Sequence, residues 1–354
     1  MTTKKWFWTL FIIVFSVLVL MAGMVAYLDP FFHYHAPCEG FFYTLDNERS
    51  QNDGITKHFS YDAIITGTSM TENFKASEFD SLFQANAIKV CYSGAMYKEI
   101  NDNLTNGFAG HQIRYVLRCI DDSYLTSDKD ASRTDLGSYP TYLYNQSIWD
   151  DTKYLLNRDV IFGYCIPMLF GRLEGKAGGI TSFDTYANWM HGVTFGRDAV
   201  MSGVGQMQEN VQQIPISEAE QAAERANIAQ NVTALAKKHP ETAFYYYFPP
   251  YSVALWGSLY SEGTAVQQIE EEKIAIEMML QCDNIKIFSF SDNPELTANL
   301  DNYRDARHYG EWVNSDILKW MAEGTGQLTK DNYKSYLQKL SDIYLHYDYV
   351  ALQQ

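Results

Sequence analysis

Asp62-Ala-Ile-Ile-Thr-Gly-Thr-Ser-Met-Thr-Glu-Asn-Phe74 is the stretch that decides the fold. Ala63, Ile64 and Ile65 form a short apolar run with β-branched members, the pattern of a buried strand. Thr66-Gly67-Thr68-Ser69 ends that run as a turn. Beyond it, Thr71, Glu72 and Asn73 read as the start of a helix or a loop, with Ser77 placed to cap the segment after it. A hydroxyl just past the end of a parallel strand lies on the rim where open α/β sheets build their sites. Ser69 is therefore the first candidate nucleophile, although serines in such turns also serve simply to cap backbone amides.

Outward from this stretch, strands alternate with helical or loop segments. Ala87 to Tyr92 reads as a second strand, ending in Ser93-Gly94, and Ile113 to Ile120 as a third, ending in Asp121-Asp122. Thr242 to Phe248 is a fourth, stopped by Pro249-Pro250, and Asn284 to Phe290 a fifth. Ser217-Glu-Ala-Glu220 has capping-box spacing at the start of a helix reaching about Lys238, and Gly263 to Leu280 is another helix. The alternation argues for a parallel sheet covered on both faces, an α/β fold.

Residues 123–215 break this rhythm and read as a partly helical insertion over the strand ends, a lid or substrate platform, or else a structural excursion or oligomer contact. Residues 328–348 read as a Tyr-rich amphipathic tail helix on the body of the domain. The predicted organisation is an anchor over 1–29, a connector over 30–60 and an extracytoplasmic domain over 61–354.

The anchor reading rests on Trp6 to Leu28, 23 residues without a charge. At 1.5 Å per residue that is roughly 34 Å of helix, enough to cross a bilayer. Trp6, Trp8 and Tyr27 mark the interfaces, and Asp29-Pro30 ends the span. The apolar region of a cleaved signal peptide is about 7–15 residues, shorter than this, though Ala22-Gly23-Met24-Val25-Ala26 contains a small-x-small pattern. Lys4 and Lys5 before the span and acidic residues after it place the N-terminus in the cytoplasm and the domain outside, single-pass at the cell membrane.

Composition excludes several classes. Of 354 residues, 46% are hydrophobic, which supplies a sizeable core. The formal charge of -16 argues against nucleic acid and against broad docking on anionic lipid. Aromatics reach 15%, with 26 tyrosines, which suits sugars and amphipathic ligands as well as plain core and interface. Five scattered cysteines (38, 91, 119, 165, 282) show neither zinc spacing nor a disulfide framework. His33-x-His35 is half a metal site at most, with no third ligand nearby, or an ordinary juxtamembrane segment. No metal and no cofactor is expected. A hydroxyl- and glycine-rich turn such as Thr66–Thr71 also suits a phosphate, as in flavin binders, but an extracytoplasmic location argues against that.

A serine nucleophile needs a base, and the base an orienting group. Tyr303-Arg-Asp-Ala-Arg-His-Tyr309 offers both. On a helical turn, the spacing of Asp305 and His308 puts the carboxylate beside the imidazole and leaves the other ring nitrogen free for Ser69. A surface Asp/His pair is the alternative. The Tyr247–Ser252 corner, with Tyr251, can stack a sugar or pack an acyl chain, or simply end its strand.

Gly67-Thr-Ser69 after the first strand, Gly94 after the second and Asp305-x-x-His308 near the C-terminus resemble the SGNH/GDSL hydrolase superfamily over about residues 60–322. The anchor, the Thr-Ser-Met-Thr-Glu-Asn variant and the Tyr-Leu-Tyr insertion look most like its membrane-anchored bacterial envelope-modifying members. Those include acyltransferases and esterases, among them the D-alanyl transfer protein of teichoic-acid modification. The resemblance implies a flavodoxin-like three-layer αβα fold with a five-stranded parallel sheet, preceded by one transmembrane helix. It implies a triad of Ser69 as nucleophile, His308 as base and Asp305 as orienter. It also implies an oxyanion hole from the backbone N–H groups of Ser69 and Gly94, with no metal. The activity it implies is a serine-dependent acyl esterase or O-acyltransferase on cell-wall polymers or acylated glycans, with a multi-span membrane acyltransferase as a candidate partner. One departure stands out. The superfamily usually carries an Asn after the third strand as a further oxyanion donor, and this chain has Arg118-Cys-Ile-Asp-Asp122. Arg307, Arg304 and Asn73 are candidate stand-ins, with Asn73, Arg307 and Tyr251 candidate substrate contacts. The alternative is an inactive SGNH-like scaffold serving a membrane acyltransferase.

Overall fold

The computed structural model describes residues 2–353 apart from 134, 136–138 and 146. The chain divides into two compact units, residues 61–133 with 183–354, and residues 1–60 with 134–182. The segment expected as one insertion over 123–215 is thereby split, because its middle part groups with the N-terminal region and its two ends with the sheet.

The larger unit is built on β1 (Ala63–Thr66), β2 (Ala87–Lys89), β3 (Tyr115–Cys119), β4 (Ala243–Phe248), β5 (Ile285–Ser289) and β6 (Gln327–Leu328). Their order in the sheet is β2-β1-β3-β4-β5-β6. The first five are parallel, in the flavodoxin-like order, and this part of the sheet is as the sequence predicts. All four residues of β1 are buried, the continuous apolar pattern of a strand covered on both faces. Helix Ala76–Phe83 packs with Glu311–Glu323, while Glu218–Ile228 packs with Ala265–Met279, giving the α layers of a three-layer αβα fold.

β6 is a correction to the tail. Residues 327 and 328 pair antiparallel with Phe288 and Ile287, and the helix begins only at Tyr333 and ends at Tyr344. Gly324 ends the preceding helix at φ 78°, and Gly326 follows at φ 74°. These two left-handed turns redirect the chain along β5, where Ser289 N donates to Gly326 O at 3.0 Å.

In the smaller unit, Thr3–Leu28 is one helix, long and apolar enough to cross a membrane or serve as a signal sequence. It ends at Asp29, whose buried carboxylate accepts from the backbone N–H groups of His33, Tyr34 and His35 and from the Tyr154 hydroxyl. His33 is engaged with Asp151 at 3.3 Å, and His35 with the Ala36 carbonyl at 2.6 Å, so each ring of the His-x-His pair has its own partner. Helix Glu48–His58 is capped by Asn47, and Phe42–Tyr43 pairs with Gly179–Ile180 as a short parallel ladder.

Lys89 is fully buried at the end of β2, and its ammonium donates to the carbonyls of Glu72 and Phe74. A lysine is tolerated there because these carbonyls, left over by the turn after β1, need donors. Lys89→Met should therefore cost about 2–4 kcal/mol, from two buried carbonyls each left unpaired. Urea unfolding measures this, and a change below about 0.5 kcal/mol, the range of surface substitutions, would remove Lys89 from the account of the turn.

Candidate functional site

β1 delivers the chain into a turn with little freedom. Gly67 lies at φ +145°, and a Cβ there would sit 2.8 Å from Thr71 Oγ1, so glycine is required. The Thr68 hydroxyl donates to Asp121 at 2.7 Å. The Met70 carbonyl accepts from Asn314 Nδ2 at 3.1 Å and from the Tyr247 hydroxyl at 3.0 Å. Ser77, expected as a helix cap, is instead inside the first turn of Ala76–Phe83. Its N–H and hydroxyl both donate to Asp184, a carboxylate at the helix N-terminus.

Residues 303–309 form a tight loop closed by an antiparallel bridge between Tyr303 and Tyr309, not the helical turn expected from the Asp305–His308 spacing. The carboxylate still reaches the ring, because Asp305 Oδ1 accepts the backbone N–H groups of Arg307 and His308 at 2.9 and 2.8 Å and so folds the loop around itself. The loop is held to the corner after β4, where Ser252 Oγ donates to Ala306 O at 2.7 Å and Tyr303 OH to Pro250 O at 2.6 Å.

The two segments meet. Ser69 Oγ lies 2.9 Å from His308 Nε2, and His308 Nδ1 lies 2.9 and 3.0 Å from the two Asp305 oxygens. Burial pushes the Asp305 carboxyl up, but the ring and backbone hydrogen bonds and the charge of His308 outweigh it and hold the group at about 2. About two-fifths of the side chain is exposed, so solvent screens the energetic benefit.

Ser69 and His308 open onto a cavity of about 410 Å³, also lined by Ser93, Gly94, Asp121, Tyr251, Arg133 and Arg307. Among the described residues, neither Ser69 N–H nor Gly94 N–H donates to a protein acceptor. Asp121 takes up the position after β3. Its carboxylate accepts from Thr68, from the Tyr251 hydroxyl at 2.7 Å and from Ser123 N at 3.2 Å. The neighbouring Asp122 carboxyl is pushed well above the usual range by burial and by Glu272, Asp121 and Glu271, which outweigh Arg307.

Of the other sequence-predicted residues, Tyr251 and Arg307 reach the cavity wall, with the guanidinium 5.7 Å from the ring and bonded to Ser123. Arg304 is not on that wall; it lies over the Trp189 ring at 5.1 Å. Asn73, a candidate substrate contact, does not line that wall either. It is buried away from the cavity, and its Oδ1 holds the backbone N–H of Trp189 at 3.2 Å, since the turn points it into the 183–190 segment.

Two contributors escaped the sequence reading. Trp189 donates from Nε1 to Ser69 O at 3.2 Å and stands edge-on to the His308 ring at 5.5 Å. The aromatic run Phe183–Trp189 is visible in the sequence, but nothing local says which ring meets the histidine. Arg133 covers Gly94, where a Cβ would come within 1.7 Å of its Nη1, and donates to Ser93 O at 3.0 Å. No sequence signal marks it.

No protein-family profile matches the chain, and no curated protein does. A solved structure described as a provisionally assigned platelet activating factor from Streptococcus pneumonia is similar over 82% of this chain and 91% of that one, with 10% identity and a TM-score of 0.38.

Because the Asp305 pKa is depressed, its contribution to stability is present above the ordinary value of 3.8 and is lost as pH falls through about 2. In ¹³C carboxyl NMR, the Asp305 midpoint should lie near 2 and rise toward 3.8 in His308→Ala. An unmoved midpoint would show that the imidazole does not set this charge.

Proposed function

We propose that this protein is a serine-dependent acyl hydrolase or O-acyltransferase of the SGNH type, acting outside the cytoplasm on acylated cell-envelope polymers. The observation that carries the reading is the Ser69–His308–Asp305 chain of contacts, between groups 239 residues apart, at the C-terminal rim of a parallel sheet.

The chemistry follows from the groups. His308 Nε2 takes the proton of Ser69 Oγ as that oxygen attacks an ester carbonyl. Asp305, ionised and bonded to Nδ1, holds the ring in the correct tautomer and stabilises the imidazolium that forms. Collapse of the tetrahedral intermediate breaks the ester C–O bond, and His308 returns its proton to the leaving alcohol. Water or a sugar hydroxyl, deprotonated in turn by His308, then releases the acyl group from Ser69. The backbone N–H groups of Ser69 and Gly94 are the candidate oxyanion donors. Arg133 and Arg307 bring positive charge to the same wall. The N-terminal helix is read as a membrane anchor, which suits substrates and partners at the envelope.

A second reading, a scaffold without turnover, is favoured by one observation. Asp121 presents a carboxylate where the superfamily uses an amide donor, and loss of one oxyanion donor commonly costs about 10²–10³ in rate.

A fluorophosphonate probe separates the two. The folded protein should be labelled, labelling should vanish in Ser69→Ala, and His308→Ala should slow it by about 10³-fold or more. Well-folded protein that takes no label would favour the scaffold. Asp305→Asn should slow ester turnover by about 10²–10⁴-fold with folding retained, and unchanged turnover would exclude its orienting role.

A further inference from the structure

The smaller unit contains a helical stretch whose surface does not suit water. Arg158–Val160, Ile161–Cys165 and Ile166–Leu173 run on as α, π and α turns. Residues 160–171, Val-Ile-Phe-Gly-Tyr-Cys-Ile-Pro-Met-Leu-Phe-Gly, contain no charge. Val160, Ile161, Cys165 and Met168 are buried, so the helix already has a protein-facing side. The opposite side is apolar too, with Phe162, Phe170 and Leu173 exposed at 59%, 60% and 81%. A helix that is apolar all round belongs in a protein core or in lipid. Twelve such residues span roughly 18 Å, too short to cross a bilayer and suited to lying in its interface.

What covers this face is argued from its neighbour. The 161–165 turn packs against the N-terminal helix Thr3–Leu28. That helix is bare from Trp6 to Leu20 and buried only at Val25 and Leu28, near its C-terminal end. The exposed stripe therefore continues the apolar surface of the N-terminal helix at the level where that surface stops. At the C-terminal end of the stripe Arg172 and Lys176 lie over the Phe41 and Phe42 rings at 4.4 and 3.9 Å, and Trp149 is almost fully exposed in the same unit. The net charge of -16 leaves apolar insertion, not electrostatic attraction, as the driving force.

We infer that residues 158–173 form an interfacial membrane helix, inserting Phe162, Phe170 and Leu173 into the leaflet in which the N-terminal helix ends. The inference rests on reading that N-terminal helix as a membrane anchor. Two lipid contacts fix the orientation of the unit on the bilayer, where a single span alone would leave it free to swivel.

The test uses the full chain in nanodiscs of phosphatidylcholine and phosphatidylglycerol, one copy per disc, with an aliphatic diazirine side chain placed singly at Phe11, Phe162, Met168, Phe170 or Leu173. After irradiation, lipid adducts should form at Phe162, Phe170 and Leu173 as they do at Phe11, and be lost at Met168 on the protein-facing side. Lipid adducts at Phe11 with none at Phe162, Phe170 and Leu173 would overturn the interfacial helix while leaving the anchor intact. The same probes in whole membranes decide the occupant. Lipid adducts there support the inference, whereas cross-links from Phe170 and Leu173 to another polypeptide, or to a second copy, overturn it. Alkaline carbonate extraction of the unmodified protein tests the anchor separately, since release would defeat the anchor reading whatever the diazirines report.

Discussion

The Met70 carbonyl is the point on which the site depends. It accepts from Asn314, on the helix that follows the His308 loop, and from Tyr247, in the central strand β4. A buried carbonyl with two donors is costly to disturb, because separating any pair leaves a polar group without water to replace it. The residue after the nucleophile candidate is therefore tied both to the sheet and to the element behind the candidate base. The 2.9 Å approach of Ser69 to His308 is set by this framework, not by the two side chains alone.

The surroundings are held in the same way. Lys89 donates to carbonyls of the same turn, Trp189 donates to the Ser69 carbonyl, and Asp121 accepts the Thr68 hydroxyl. Asp121 is the notable member of this shell. At the end of β3 it works as an acceptor for three protein donors, so its oxygens are committed to holding the turn and Tyr251 in place. This gives the acidic residue a structural reason to stand on the cavity wall, although it brings no donor to the rim. Gly94 is committed as well, since its left-handed backbone and the overlying Arg133 leave no room for a side chain.

The smaller unit follows a different logic. Its hub is Asp29, which ends the apolar helix and gathers three backbone N–H groups and a tyrosine hydroxyl. Trp149, Phe162, Phe170 and Leu173 of this unit are exposed, whereas the larger unit keeps its apolar strands inside. One unit is thus arranged around a long apolar helix and the other around a parallel sheet with the candidate site at its rim.

Sequence alone determined the elements whose physics is local. The five parallel strands, the capping box at Ser217 and Glu220, the lipid-suited N-terminal helix and the hydroxyl after β1 are all legible, because periodicity and turn chemistry act over a few residues. The pairing of Asp305 with His308 was also legible from spacing, but its form was not. The loop is closed by a Tyr303–Tyr309 bridge and anchored by Ser252, contacts that no short window contains. Likewise only the tertiary structure decided that Asn73 turns inward, that Trp189 and Arg133 stand beside the site, and that Gln327-Leu328 pairs as a strand. Such outcomes depend on which distant side chains compete for the same buried donors and acceptors, and that competition exists only once the chain has closed on itself.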